Sequence, residues 1–123
     1  MLDRMIFQRI RSSPKSILLL GPRQVGKSTL MHALKPAFFA NLMDETLYLT
    51  YTKDPGRLKR ELAAIKQPAL IAIDEIQRVP ALLNVIQALL DEGVKHRFIL
   101  SGSSARKLKR DHANLLPGRI LVE

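Results

Sequence analysis

Cysteine is absent from the chain, which excludes disulfide frameworks, thiolate metal sites and thiol nucleophiles. The three histidines, His32, His96 and His112, are scattered without paired metal-ligand spacing and read as surface residues. Long apolar runs are missing as well. No stretch approaches the roughly 18 residues that a membrane-crossing helix needs. The start, "MLDRMIFQRIRSSPKS", has neither the uninterrupted apolar segment nor the small-residue cleavage site of a secretory signal. These absences lead to the expectation of a soluble, cytoplasmic protein with no membrane partner. Aromatic residues are only 5% of the total and do not interleave with the basic clusters in the way that stacks single-stranded bases. The formal charge of +9 is spread over "RMIFQRIR", "KDPGRLKRE" and "ARKLKRDH" and reads as solvated surface, so a nucleic-acid partner is an alternative that is not favoured. Internal repeats, low-complexity tracts and an interdomain linker are also absent. A chain of 123 residues suits a single domain with one core.

What is present is an alternation of short apolar runs with longer segments at helical spacing. "SILLL" (16–20) reads as a first strand, "KSTLMHAL" as a first helix, and "TLYLTY" (46–51), rich in β-formers, as a second strand. "DPGRLKRELAAI" predicts a helix with Asp54 as N-cap and Pro55 at its first position, stopping before Pro68. "ALIAIDE" is a third strand, "PALLNVIQALLDEG" a helix opened by Pro80 and closed by Gly93, and "RFILSGSS" a fourth strand. "SSARKLKRD" and "RILVE" read as a short helix and a fifth strand. Strands apolar on both faces and separated by helices predict an α/β fold: a parallel sheet covered on both sides, with its ligand at the strand C-terminal ends. The segment "KPAFFANLMDE" is the least determined by its pattern.

Gly21-Pro22-Arg23-Gln24-Val25-Gly26-Lys27-Ser28 fits GxxxxGK[ST] directly between an apolar strand and a helix, the context of a phosphate-binding loop. Its glycines allow close backbone approach, so N–H groups from about Gln24 to Thr29 can point at phosphate oxygens, aided by the positive end of the following helix. In this reading Lys27 reaches the β- and γ-phosphates, Ser28 places its hydroxyl on Mg²⁺, and Thr29 contacts the α-phosphate. The second constellation is "LIAIDEIQ", an apolar run ending in two acids. Asp74, at the end of a buried strand, suits Mg²⁺, and Glu75 suits the orientation and deprotonation of a water in line with the γ-phosphate. A small-molecule kinase has no need of that glutamate. "SGSS" (101–104) ends the fourth strand, where Ser101 or Ser103 could bond the γ-phosphate or the water; the same sequence is also an ordinary turn and N-cap.

"LLLGPRQVGKSTL", "LIAIDEIQRVPALLNVIQALLDE", "RFILSGSSARKL" and "LLPGRI", in this order, resemble the N-terminal ATPase segment of the bacterial and archaeal AAA-type ATPases that carry a C-terminal DUF4143 domain. The resemblance runs from about Ile17 to Glu123. It implies a P-loop NTPase three-layer αβα sandwich with a parallel five-stranded sheet in the order 5-1-4-3-2, and a preference for ATP. It places Lys27 and Ser28 at Walker A, Asp74 and Glu75 at Walker B, and Ser101 at a polar sensor position. Arg119 matches a recurrent Gly-Arg of these proteins, which the resemblance offers as an arginine finger. Thr50 stands where the second strand of such proteins often carries an acid. Relatives of this kind continue beyond residue 123, so the expectation is a truncated product, a fragment or a minimal core, with self-association or a missing C-terminal domain as partner.

The expected unit is a single ATP-binding domain over residues 1–123, its core from about 16 to 123 and residues 1–15 a helix or arm carrying Leu2, Ile6, Phe7 and Ile10 on one face. The expected function is Mg²⁺-dependent ATP binding and hydrolysis, with Lys27, Glu75 and Ser101 in catalytic roles. The alternatives are a non-hydrolysing nucleotide-binding module or relic of a larger ATPase, a small-molecule phosphotransferase, and a nucleic-acid-linked ATPase.

Overall fold

Three of the apolar runs form the centre of a parallel sheet: β1 (Ile17–Leu20), β3 (Leu70–Asp74) and β4 (Arg97–Gly102). The computed structural model describes residues 8, 11, 16–20, 25–102 and 119–122. The first helix, α1, spans Val25–Ala33. β2 is Phe38–Asn41 and β5 is Arg119–Val122, and the strands lie in the order β2-β3-β4-β1-β5 with every pairing parallel.

Because successive strand residues point to opposite faces, each central strand supplies two cores. Ile17, Leu19, Ala72 and Ile99 pack with Leu30 and Met31 of α1 on one face. Leu18, Ile71, Ile73, Phe98 and Leu100 pack on the other, under α2 (Glu45–Lys53), α3 (Arg57–Ala63) and α4 (Ala81–Asp91). Both faces are therefore dry, which is why these strands read as unbroken apolar runs. α4 is the longest of the described helices: Leu82, Leu83, Ile86 and Leu89 make its buried stripe, and Pro80 precedes it. Gly93, at φ 90°, turns the chain out of it, with Val94 N–H donating to the Leu89 carbonyl.

The second strand lies elsewhere than expected. Residues 46–51 are helical, within α2, and the sheet takes Phe38–Asn41 from the segment whose pattern was least informative. β-branched Thr46, Thr50 and Thr52 favour a strand locally, but Asp44 outweighs them: its carboxylate accepts from Thr46 N–H at 2.9 Å and Leu47 N–H at 3.2 Å. A strand would have put Leu47, Leu49 and Tyr51 on one face. The helix instead turns Leu47, Tyr48 and Tyr51 toward the core and leaves Leu49 58% exposed. Tyr51 is buried and its hydroxyl donates to Glu61 of α3. Burial first, and then that bond, push its phenol well above the usual range. Asp44→Ala is expected to lower stability by about 1 kcal/mol, read from urea unfolding; an unchanged midpoint would show that tertiary packing alone holds α2.

Two smaller expectations are corrected as well. Asp54 is not the N-cap of α3: its N–H donates to the Thr50 carbonyl and ends α2, its carboxylate pairs with Arg60, and Gly56 precedes α3 instead. His96 is not a surface residue but 4% exposed. Its Nδ1 accepts from Ala69 N–H at 3.2 Å, which leaves Nε2 as the N–H facing the Leu62 carbonyl at 3.3 Å, so the ring ties the end of α3 to the start of β3. Of the N-terminal segment, Gln8 and Arg11 alone are described, both helical and exposed; Leu2, Ile6, Phe7 and Ile10 lie outside the described residues. The short helix expected at "SSARKLKRD" and His112 lie outside them too.

Candidate functional site

Strand register determines what meets at the C-terminal edge of the sheet. Leu20 pairs with Gly102, Leu19 with Ser101, Ile73 with Leu100 and Asn41 with Asp74. The chain therefore leaves β1 beside the tip of β4, which in turn adjoins the tip of β3, and α1 starts at Val25, with four residues between it and Leu20. Gly21, Pro22, Arg23 and Gln24 lie outside the described residues. Val25, Gly26 and Lys27 form the first turn of α1, and their side chains are likewise outside the description. Ser28 is half-buried and Thr29 exposed on that helix.

Asp74 and Glu75 are each 5% exposed, and Ser101 is fully buried between them. The Ser101 hydroxyl donates to Asp74 Oδ1 and accepts the Glu75 N–H at 3.1 Å. One serine thus fixes both a carboxylate and the backbone of the adjacent acid. Ser101 is not a turn residue, since it lies within β4 rather than after it. Ser103 lies outside the described residues. Glu75 has φ 60° and ψ 48°, the left-handed region that a non-glycine residue enters at a cost. That turn ends β3 abruptly and feeds a short 3₁₀ turn, Ile76–Arg78. Its side chain is engaged as well: Gln77 Nε2 donates to Glu75 Oε1 at 2.6 Å. Ser101→Ala leaves the Asp74 carboxylate and the Glu75 N–H without this hydroxyl. The substitution is expected to cost about 1–3 kcal/mol in urea unfolding.

Three residues here were not singled out from the sequence. Asn41 ends β2 beside Asp74, and its Oδ1 accepts from Met43 N–H at 2.9 Å. Thr50, expected within the second strand, lies instead in α2. Arg78 donates to the Leu42 carbonyl at 3.0 Å, lies 3.5 Å from Glu45 and sits 4.2 Å over the Tyr48 ring, binding the turn after β3 to the start of α2. Gln77 is the third. An Asn-x-Met-Asp turn and the Gln77-Arg78 pair one residue after Asp-Glu were the available signals; the Asn41 and Gln77 bonds are local, whereas Arg78 reaches Leu42 only once the strands are ordered. Arg119 begins β5, and its side chain is outside the description.

A carboxylate and a hydroxyl at the strand tips, next to a helix start, form an oxygen-donor set suited to a hard divalent cation shared with phosphate. The described residues contain no cluster of three or more His, Cys, Asp or Glu side chains able to hold a metal by themselves.

Residues 13–122 match the sequence model of a family described as AAA domain. The uncharacterized proteins Rv2008c of Mycobacterium tuberculosis and Mb2031c of Mycobacterium bovis are each 36% identical over 110 residues, which is 87% of this chain and 24% of theirs. The chain thus spans about a quarter of the length of the curated relatives it matches. Among solved structures, the FIGL-1 AAA domain in complex with ADP superposes with a TM-score of 0.62 at 21% identity, covering 96% of this chain and 48% of that one. A katanin structure, described under katanin self-assembly, gives 0.57 at 21% identity, covering 96% and 44%. These likenesses concern the fold.

Proposed function

The chain belongs to the AAA domain family, and from that premise we propose that it binds ATP with Mg²⁺ and hydrolyses its terminal phosphoanhydride. The observation that carries the reading is the buried Asp74–Ser101–Glu75 cluster at the strand tips, where β1 passes toward α1. A structural pair of acids at a sheet end would face water; these two are held in place by a serine from the neighbouring strand.

The loop Gly21–Gly26 and the N–H groups from Gln24 to Thr29 would cradle the phosphates, Lys27 would reach the β- and γ-phosphates, and Thr29 would serve the α-phosphate. Ser28 and Asp74 hold Mg²⁺, which when bound neutralises charge on the phosphate oxygens. Glu75 takes the proton of a water as its oxygen bonds to the γ-phosphorus and the bond to the bridging oxygen breaks, releasing ADP and phosphate. Ser101 keeps Asp74 and Glu75 in register for this. The unit that does so is a single domain with its core at 16–123, working in the cytoplasm.

The ADP complex of the similar FIGL-1 domain agrees with nucleotide binding, and the katanin description agrees with self-association as a partner relation. The resemblance to ATPases with a C-terminal DUF4143 domain extends the proposal to a partner domain of that kind, and Arg119 is the residue offered to a neighbouring site. The test is MgATP titration by calorimetry beside phosphate release, on the folded chain. Saturable binding with turnover is expected. Folded protein that ignores MgATP would overturn the reading, and binding without phosphate release would restrict it to nucleotide binding.

A further inference from the structure

Glu75 is gripped from two directions. Its backbone N–H is fixed through Ser101 to Asp74, and its carboxylate is reached by Gln77, whose Nε2 lies 2.6 Å from Oε1. The second grip exists only because the left-handed turn at Glu75 opens the 3₁₀ segment Ile76–Arg78, folding residue 77 back over residue 75; in a continuing strand, alternate side chains share a face but are spread along it. The turn is itself anchored: Ile76 is fully buried, and Arg78 holds the Leu42 carbonyl.

We infer that Gln77 is a positioning residue for Glu75, aiming its carboxylate at the attacking water. This rests on the ATP-hydrolysis reading above and adds a residue to it. The chemistry of the donor matters. A lysine or arginine at this distance would neutralise the carboxylate and weaken it as a base, whereas a neutral amide orders one oxygen and leaves the negative charge in place. An ordered base loses less freedom on the way to the transition state, so the effect belongs in kcat rather than in nucleotide affinity.

The experiment is steady-state phosphate release with MgATP for the wild type, Gln77→Leu, Gln77→Glu and Glu75→Gln, with MgATP affinity and urea unfolding measured on each. Gln77→Leu keeps the volume and removes the donor; Gln77→Glu keeps the shape and sets a like charge against Oε1. Both are expected to lower kcat, by about 5- to 20-fold for Leu and more for Glu, as part of the roughly 10²–10⁴-fold that a positioned base contributes. KM and affinity should stay within about twofold of wild type. If both variants keep kcat within twofold while Glu75→Gln is inactive, the positioning role is overturned. A fall in kcat matched by lost affinity or a lowered unfolding midpoint also overturns it, assigning Gln77 to the turn's structure. A wild type that releases no phosphate fails a different claim, the hydrolysis reading itself, and a Glu75→Gln variant as fast as wild type removes Glu75 as the base; either result takes this inference with it.

Discussion

Glu75→Gln is expected to bind MgATP like the wild type and to release phosphate about 10²–10⁴ times more slowly, the usual contribution of a positioned general base. The substitution is nearly isosteric, and the scaffold around it does not depend on the charge. The backbone N–H still reaches Ser101, the left-handed turn is unchanged, and an amide oxygen at position 75 can still accept from Gln77. What is lost is the proton acceptor alone. Phosphate release under saturating MgATP, beside calorimetry, separates the two effects. Undiminished turnover would remove Glu75 from the chemistry, while lost binding would mean that its charge serves the nucleotide's cation.

Lys27→Ala is expected to weaken MgATP binding roughly 30- to 150-fold, the equivalent of about 2–3 kcal/mol for a charge-assisted bond to phosphate. Lys27 is the lysine of Gly21-Pro22-Arg23-Gln24-Val25-Gly26-Lys27-Ser28 and lies in the first turn of α1. The chain's formal charge of +9 offers a competing explanation, that any lysine attracts a polyanion. Lys59→Ala is the control. Lys59 is exposed on α3 and pairs with Glu92 at 3.3 Å, so its removal takes away the same charge without touching the loop. Calorimetry should show Lys59→Ala with wild-type affinity; an equal loss in both variants would reduce the loop lysine to a member of a diffuse basic surface.

How much of this was legible in the sequence differs from element to element. β1, β3 and β4 were readable because burial on both faces demands continuous apolar residues, and α4 because its buried stripe repeats at helical spacing between Pro80 and Gly93. α2 was misread because three threonines and two tyrosines carry strand propensity. The opposing signal, Asp44 two and three residues before the N–H groups it caps, is a single side chain. Phe38–Asn41 is too short to show alternation, and joins the sheet because β3 offers it a free edge. His96 looked like a surface residue because nothing local shows the Leu62 carbonyl waiting above it.

By itself the sequence determined the phosphate-loop pattern, the paired acids Asp74 and Glu75 at the end of an apolar run, and the alternation of strands and helices. Each of these is a local fact of residue type and spacing. Only the tertiary structure decided that Ser101, 26 residues beyond Glu75, bridges both acids, that Asn41 stands beside Asp74, and that Gln77 turns back onto the Glu75 carboxylate. The Gln77 contact, between residues only two apart, follows from the left-handed turn at Glu75, while the other two join residues distant along the chain and are selected by strand order and register. Those follow from burying two apolar faces at once, a condition that no short window of residues contains.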